Sequence, residues 1–430
     1  MANKRYKRSA QFLKRALQTI PLGSQTFSKS MTQYPQGVSP HFVVRGEGSK
    51  IWDVDGNEYI DFVNALASVF IGYSNNTINS AVQSQLQNGI SFSLPHPLEI
   101  DVAEMLVEMI PCAEMVRFGK NGTDATSASI RLARAYTGRD HILVCGYHGW
   151  QDWYIGSTSR DLGVPKVVKS LTHSFQYNDL VSLRNLFLKF PDQIAAVIME
   201  PMNVNWPEEG YLAAVKELTH QNSAILIFDE TITGCRFARG GAQELFEVTP
   251  DLATFGKGLA NGFPLSAVLG HREIMAKMED IFFSGTFGGE TLSLAAAKAT
   301  LTMIRDGDVL ENIKEKGKRL LEGILNLIKK HNADDVFSVA GHPSWTFIQI
   351  KETKRYNSFE IRTLFLQEIF KRGILSIGTH NISYAHTEAD INKLLQVYDK
   401  VIPLIINAIQ KNKLLEILDT KPLEPLFKVR

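Results

Sequence analysis

In the stretch TFGKGLANGFPLSAVLG (residues 254–270), Lys257 stands between Gly256 and Gly258. With no side chain on either flank, its amine is open to a flat aldehyde, which is the requirement of Schiff-base chemistry. A Gly-Lys-Gly tripeptide by itself is equally a solvated turn, so its meaning depends on what else the chain supplies. Upstream, AILIFDETITGCR (224–236) carries an apolar run into Asp229 and Glu230. A carboxylate at such a strand end can pair with a protonated ring nitrogen and keep the ring electron-poor. Thr231 falls on the same side of an extended strand as Asp229 and can touch the ring face. The plainer alternative is that Asp229 caps the next helix or holds Arg236.

Three further segments bear candidate ligand groups. In RFGKNGTDATSASIRLAR (117–134), Asn121, Gly122 and Thr123 lead from a strand into a helix. Free N–H groups beside a glycine and a hydroxyl make a cradle for phosphate, although an ordinary helix cap reads the same way. In CGYHG (145–149), Tyr147 and His148 are placed to stack on a flat ring, or else are a core tyrosine and a solvent-side histidine. No second His or Cys lies at ligand spacing, so no metal is expected there. MEPMNVNW (199–206) offers Glu200, Asn203 and Asn205, and an asparagine can bond a phenolate oxygen. Thr286, in the glycine-rich FFSGTFGGETLSLAAA (282–297), is a second possible phosphate contact or a turn residue before a buried helix.

These groups need a scaffold that brings strand ends together. Apolar strand candidates are 115–118, 142–145, 195–199, 224–228 and 266–269, with helical stretches such as 126–137 and 211–220 between several of them. Strands alternating with helices predict a largely parallel sheet covered on both faces, with ligands outside the carboxyl ends of its strands. Residues 1–75 read as an amphipathic basic arm, carrying Phe12, Leu13, Ala16, Leu17 and Ile20, followed by a hairpin around Asp55-Gly56. The arm could pack on its own core or dock on a partner subunit. Residues 76–307 form the large domain. Residues 308–430 begin with a long amphipathic helix and make, with the N-terminal segment, a small α+β domain.

The composition sets outer bounds. The 430 residues are 44% hydrophobic and 21% charged, with 46 basic against 45 acidic side chains, so no global field recruits nucleic acid or membrane. Three scattered cysteines, no signal-peptide pattern and no membrane-length apolar run predict a cytoplasmic protein. The absence of a Walker or dinucleotide fingerprint speaks against a nucleotide-binding α/β protein.

Taken in this order, the motifs resemble the class III (subgroup II) pyridoxal-phosphate-dependent aminotransferases, and within them the glutamate-1-semialdehyde aminomutase-like branch. The resemblance runs from about residue 38 (VSPHFVVRGEGSKIWDVDGNEYIDF) to about residue 395 (YAHTEADINKLL). It implies fold type I, with a mostly parallel seven-stranded sheet in the large domain, and a homodimer with active sites at the subunit interface. It further implies pyridoxal 5'-phosphate as cofactor, bound to Lys257 as an internal aldimine, with Asp229 on the pyridine nitrogen. Asn121, Gly122 and Thr123 match the family's Ser-Gly-Thr phosphate loop, with asparagine in place of the serine. Tyr147 would stack on the ring with His148 in the same turn, Asn205 would lie near O3′, and Thr286 would reach the neighbouring subunit's phosphate.

The chain departs from the aminomutase pattern in three places. WQDWYIGSTSRDLGVPKVV (150–168) replaces a long glycine/serine-rich loop, TFGGETL (286–292) replaces a Ser-Gly-Asn-Pro loop, and Thr231 stands where much of the class has valine. The expected activity is therefore transfer of an amino group from a small-molecule donor to a carbonyl-bearing acceptor, through a pyridoxamine phosphate intermediate. An intramolecular aminomutase and a non-catalytic scaffold of the same fold are the alternatives. Trp150, Trp153 and Tyr154, close to the ring turn in sequence, suggest a bulky acceptor. Arg45 and Arg236 are the candidates for binding a substrate carboxylate.

Overall fold

Six consecutive apolar residues without a charge satisfy their surface by burial on both faces, and Ile194–Met199 is a strand whose six residues are all buried. It lies near the middle of a seven-stranded sheet in the computed structural model, which describes residues 4–425. The chain divides into two compact units. One runs from Asn76 to Leu310, and the other joins the segment through Asn75 to the segment from Glu311 onward. The ends of the expected first and third segments, residues 1–3 and 426–430, lie outside the described residues.

The sheet of the large unit comprises β1 (Met115–Gly119), β2 (His141–Cys145), β3 (Thr172–Ser174), β4 (Ile194–Met199), β5 (Ile225–Asp229), β6 (Leu252–Phe255) and β7 (Ser266–Gly270). Their spatial order is β1-β7-β6-β5-β4-β2-β3. Only β7 runs antiparallel to its neighbours, so β1, β2, β4, β5 and β6 deliver their carboxyl ends to one edge. Successive residues alternate between two cores, as the pleat requires. Ile142, Val144, Ile198 and Ile227 pack with Ala125, Ile130 and Leu132 of the helix Gly122–Thr137. Leu143, Val197, Leu226 and Phe228 pack with Leu183, Phe187, Tyr211 and Val215. Both faces are therefore covered. Two strands escape the sequence pattern: β3 is a three-residue edge strand, and β6, Leu-Ala-Thr-Phe, is short and interrupted by a hydroxyl.

In the other unit Val43–Glu47, Lys50–Asp53 and Glu58–Asp61 form an antiparallel run, and Ile374–Leu375 pairs parallel to the last of them. The Asp55-Gly56 turn forms as expected, with Gly56 at φ +85° and the Asp53 carboxylate accepting the N–H groups of Asp55 and Asn57. Asp55 in turn accepts the N–H groups of Arg8 and Ser9 at the first turn of the helix Lys7–Ala16. That helix buries Leu13 and Ala16, so the arm packs within its own unit. The helix Glu388–Gln410 begins with a reciprocal cap, in which Thr387 Oγ1 accepts the Asp390 N–H and Asp390 accepts the Thr387 N–H. Among the described residues no helix is long and apolar enough to cross a membrane.

This unit also buries an imidazole. His380 faces Thr346 Oγ1 at 2.9 Å and Tyr398 Oη at 2.7 Å, and burial pushes its pKa down to about 3. A histidine in an unfolded chain takes its proton near pH 6.5, so below that pH the unfolded state holds the extra proton. The stability from this site is complete above about pH 6.5 and is lost as pH falls toward 3. The thermal midpoint should therefore drop between pH 7 and pH 4.5, and His380→Gln should shrink that drop; an unchanged pH dependence in the variant would contradict the assignment.

Candidate active site

The strand-end carboxylate is the most constrained group on the functional edge. Asp229, the last residue of β5, is 5% exposed. Its Oδ1 accepts hydrogen bonds from Thr231 Oγ1 (2.5 Å), the Thr231 N–H (3.1 Å) and Thr254 Oγ1 (2.9 Å), while His148 Nδ1 donates to Oδ2 at 2.8 Å. Burial acts to raise this carboxyl, but the donations from His148 and Thr231 outweigh it and hold it below the usual carboxylate range. Thr254 is the residue the sequence reading missed. Its signal is register: parallel pairing of β5 with β6 sets Thr254 directly opposite Asp229, and a hydroxyl inside an otherwise apolar strand requires a partner.

Lys257 follows β6 by two residues, in the turn Lys257–Ala260, at φ +43°. A left-handed backbone at a non-glycine residue is strained. Its amine is held below the ordinary lysine pKa, chiefly by burial, with the positive charge of Arg236 adding to the depression and Glu200 and Asp229 opposing it. Arg236 is itself buried, and desolvation brings it down to about 9, so this arginine is part of the interior electrostatics. Arg45, in the other unit, is exposed and lies 3.8 Å over the Trp52 ring.

Asn121 is exposed at the start of the helix Gly122–Thr137. Asp124 accepts the N–H groups of Lys120 and Asn121, leaving those of Gly122 and Thr123 without an acceptor among the described residues. Gly122 is closely packed: a Cβ there would lie 3.1 Å from Thr231 Cγ2, so a larger residue would have to push that side chain aside. Thr123 receives the Trp150 N–H at 3.4 Å, and Gly149, at φ +105°, approaches so closely that a Cβ would fall 2.4 Å from Thr123 Oγ1. The turn after β2 is thus locked onto the phosphate-cradle candidate.

Within that turn His148 is buried, with Nδ1 on Asp229 and Nε2 facing the Cys145 carbonyl at 3.2 Å. Tyr147 is half exposed and meets Tyr154 edge to face at 5.6 Å. The expected aromatic acceptor patch is only partly there. Trp153 and Tyr154 are buried, with Trp153 Nε1 donating to Ser127 and Tyr154 Oη to the Gly146 carbonyl. They brace the turn from behind, and Trp150 alone is exposed.

Glu200 is buried beside them, and its carboxylate accepts the Tyr147 N–H (3.0 Å) and the Asn203 amide (2.9 Å). Burial raises its pKa. Asn205 lies exposed in the same loop. Glu230 is structural: it accepts from Thr233 Oγ1 and from the N–H groups of Ala242 and Gln243, so it folds the segment after β5. Thr286 is exposed, four residues before Glu290, which caps the helix Thr291–Asp306 and pairs with Lys120 at 3.0 Å. That ion pair ties the Thr286 loop to the cradle strand.

The edge therefore gathers an amine of lowered pKa, an ionised buried carboxylate, an N–H cradle and an exposed aromatic. This donor set fits pyridoxal phosphate, whose aldehyde, ring nitrogen and phosphate each find a complementary group. Gly149→Ala should lower stability by about 1–3 kcal/mol and weaken cofactor uptake, read from the urea midpoint and the half-saturating cofactor concentration.

Residues 33–411 match the family model described as aminotransferase class-III. The chain is 35% identical over 394 residues to 3-aminobutyryl-CoA aminotransferase of Cloacimonas acidaminovorans, covering 89% of this chain and 94% of the relative. It is 32% identical over 409 residues to glutamate-1-semialdehyde 2,1-aminomutase of Aquifex aeolicus, covering 89% and 96%. Among solved structures, the pyridoxal phosphate internal aldimine form of the FumI protein of Sphingopyxis sp. MTA144 superimposes with a TM-score of 0.88 at 28% identity, covering 97% of this chain and 99% of that one. An omega-transaminase from Sphaerobacter thermophilus gives 0.84 at 26% identity, with 94% and 100% covered.

Proposed function

The chain belongs to the class-III aminotransferases, and on that premise we propose how its residues divide the work of a pyridoxal-phosphate-dependent amino transfer between two small molecules. The cofactor supplies an aldehyde that condenses with amines and a protonated ring that accepts electrons from a deprotonated carbon. The observation that carries the assignment is Lys257, a lysine with lowered pKa on the same strand edge as an ionised, buried Asp229. Desolvation keeps a larger fraction of its amine neutral at physiological pH, as a nucleophile and as a base must be. Its Nζ takes the proton from the substrate carbon that bears the nitrogen. Asp229 holds the proton on the ring nitrogen, and Gly122 and Thr123 orient the phosphate with their N–H groups, beside Asn121. Tyr147 would cover the cofactor ring and Thr231 would lie beside it, Asn205 would lie near O3′, and His148 holds Asp229 from behind.

A second copy of the chain completes the assembly in this reading. A groove of about 860 Å³ runs between the helix Pro97–Met109 and residues 283–289, bordered by Ile100, Val107 and Phe283. Leu94, Phe282 and Phe287 add exposed apolar surface in the flanking loops. These exposed apolar side chains are what a second copy would cover, and a partner seated there would meet the loop that carries Thr286.

The aminomutase relatives support a second reading, in which the amino group moves within one molecule. The two differ in their need for a donor. A panel of α-amino acids, β-amino acids, their thioesters and simple amines should contain at least one compound that bleaches the visible absorbance of the cofactor-loaded protein and releases one equivalent of carbonyl product. Turnover should then require a separate acceptor, and Lys257→Ala should lower the rate by several orders of magnitude. Multiple turnovers of a single substrate with no donor present would favour the aminomutase.

A further inference from the structure

Asp229 has more donors on one oxygen than on the other. Among the described residues, Oδ1 takes Thr231 Oγ1, the Thr231 N–H and Thr254 Oγ1, whereas Oδ2 takes only His148 Nδ1. A carboxylate oxygen has about two lone-pair directions, so Oδ1 is saturated and Oδ2 retains one free direction. The Thr231 hydroxyl is turned to Asp229, while its methyl faces the two glycine turns. Cγ2 lies 3.1 Å from a Cβ built on Gly122 and 3.3 Å from one built on Gly256. One side chain therefore touches the carboxylate, the cradle turn and the lysine turn. Valine would reproduce the methyl contacts and lose only the hydroxyl.

We propose that Thr231 is a positioning residue acting through Asp229: its hydroxyl, with that of Thr254, occupies Oδ1, directs the cofactor's ring nitrogen to Oδ2, and makes the carboxylate a weaker base. The inference rests on the assignment of Asp229 to the ring nitrogen. Its physical basis is that a hydrogen bond donated to a carboxylate stabilises the anion and reduces its pull on a shared proton. The carboxyl already sits below the usual range despite burial. The proton between Asp229 and the ring then stays on nitrogen, where it makes the ring an electron acceptor. Hydrogen bonds to charged groups are strong enough to shift such a proton equilibrium roughly tenfold.

The test reconstitutes the full-length protein with cofactor labelled with nitrogen-15 in the ring and records the nitrogen resonance of the wild type, Thr231→Val and Thr231→Ser. The wild type should show a protonated ring nitrogen. Thr231→Val should move the resonance toward the unprotonated position, corresponding to a roughly tenfold change in the proton equilibrium. Thr231→Ser, which keeps the hydroxyl and loses the methyl, should remain at the wild-type position. A Thr231→Val resonance coincident with the wild type, or a Thr231→Ser resonance displaced as far as that of Thr231→Val, would overturn the inference while leaving Asp229 in its role. A wild-type ring nitrogen without a proton would instead overturn the assignment of Asp229 itself.

Discussion

A carboxylate withdrawn from water costs several kcal/mol unless donors replace the lost hydration, and Asp229 is such a group. Its position at the end of β5 is set by the apolar run before it, which belongs inside the sheet. Each of its four donors comes from a place the fold dictates. Thr254 comes from the next strand in register, Thr231 from the residue after the strand turns, and His148 from the turn after β2. Displacing any of these elements would leave a buried charge short of partners. The candidate catalytic edge and the stability of the large unit are therefore one problem.

The same edge stores strain. Lys257 is held at φ +43°, and the turns around it are closely packed, with Thr231 tight against Gly122 and Gly256, and Gly149 so near Thr123 that no Cβ fits between them. A non-glycine residue in the left-handed region costs on the order of 1 kcal/mol, which the packed sheet beneath supports. What results is an amine whose pKa is lowered by burial before any substrate arrives. Glu200 completes the frame by fixing the Tyr147 N–H and the Asn203 amide to one carboxylate.

Much of this was legible in the sequence because the polar candidates sit at the ends of apolar runs, and a parallel sheet sends those ends to one edge. Asp229, Lys257, His148 and the Asn121–Thr123 turn could be placed together on that ground. What pairing across strands decides was not legible. Thr254 reads as an interruption in a short strand until register sets it against Asp229, and β3 is too short to show any period. Proximity in sequence also misled at Trp153 and Tyr154. Both lie just past the ring turn, yet a short helix rolls them into the core behind it.

The assignment of Lys257 as the amine that would carry the cofactor is open to direct measurement. Reducing the reconstituted protein with borohydride and mapping its peptides by mass spectrometry tests this directly. The pyridoxyl mass should be found on the peptide spanning Lys257, and it should be absent from Lys257→Ala treated in the same way. A label on another lysine, or equal labelling of the variant, would contradict it.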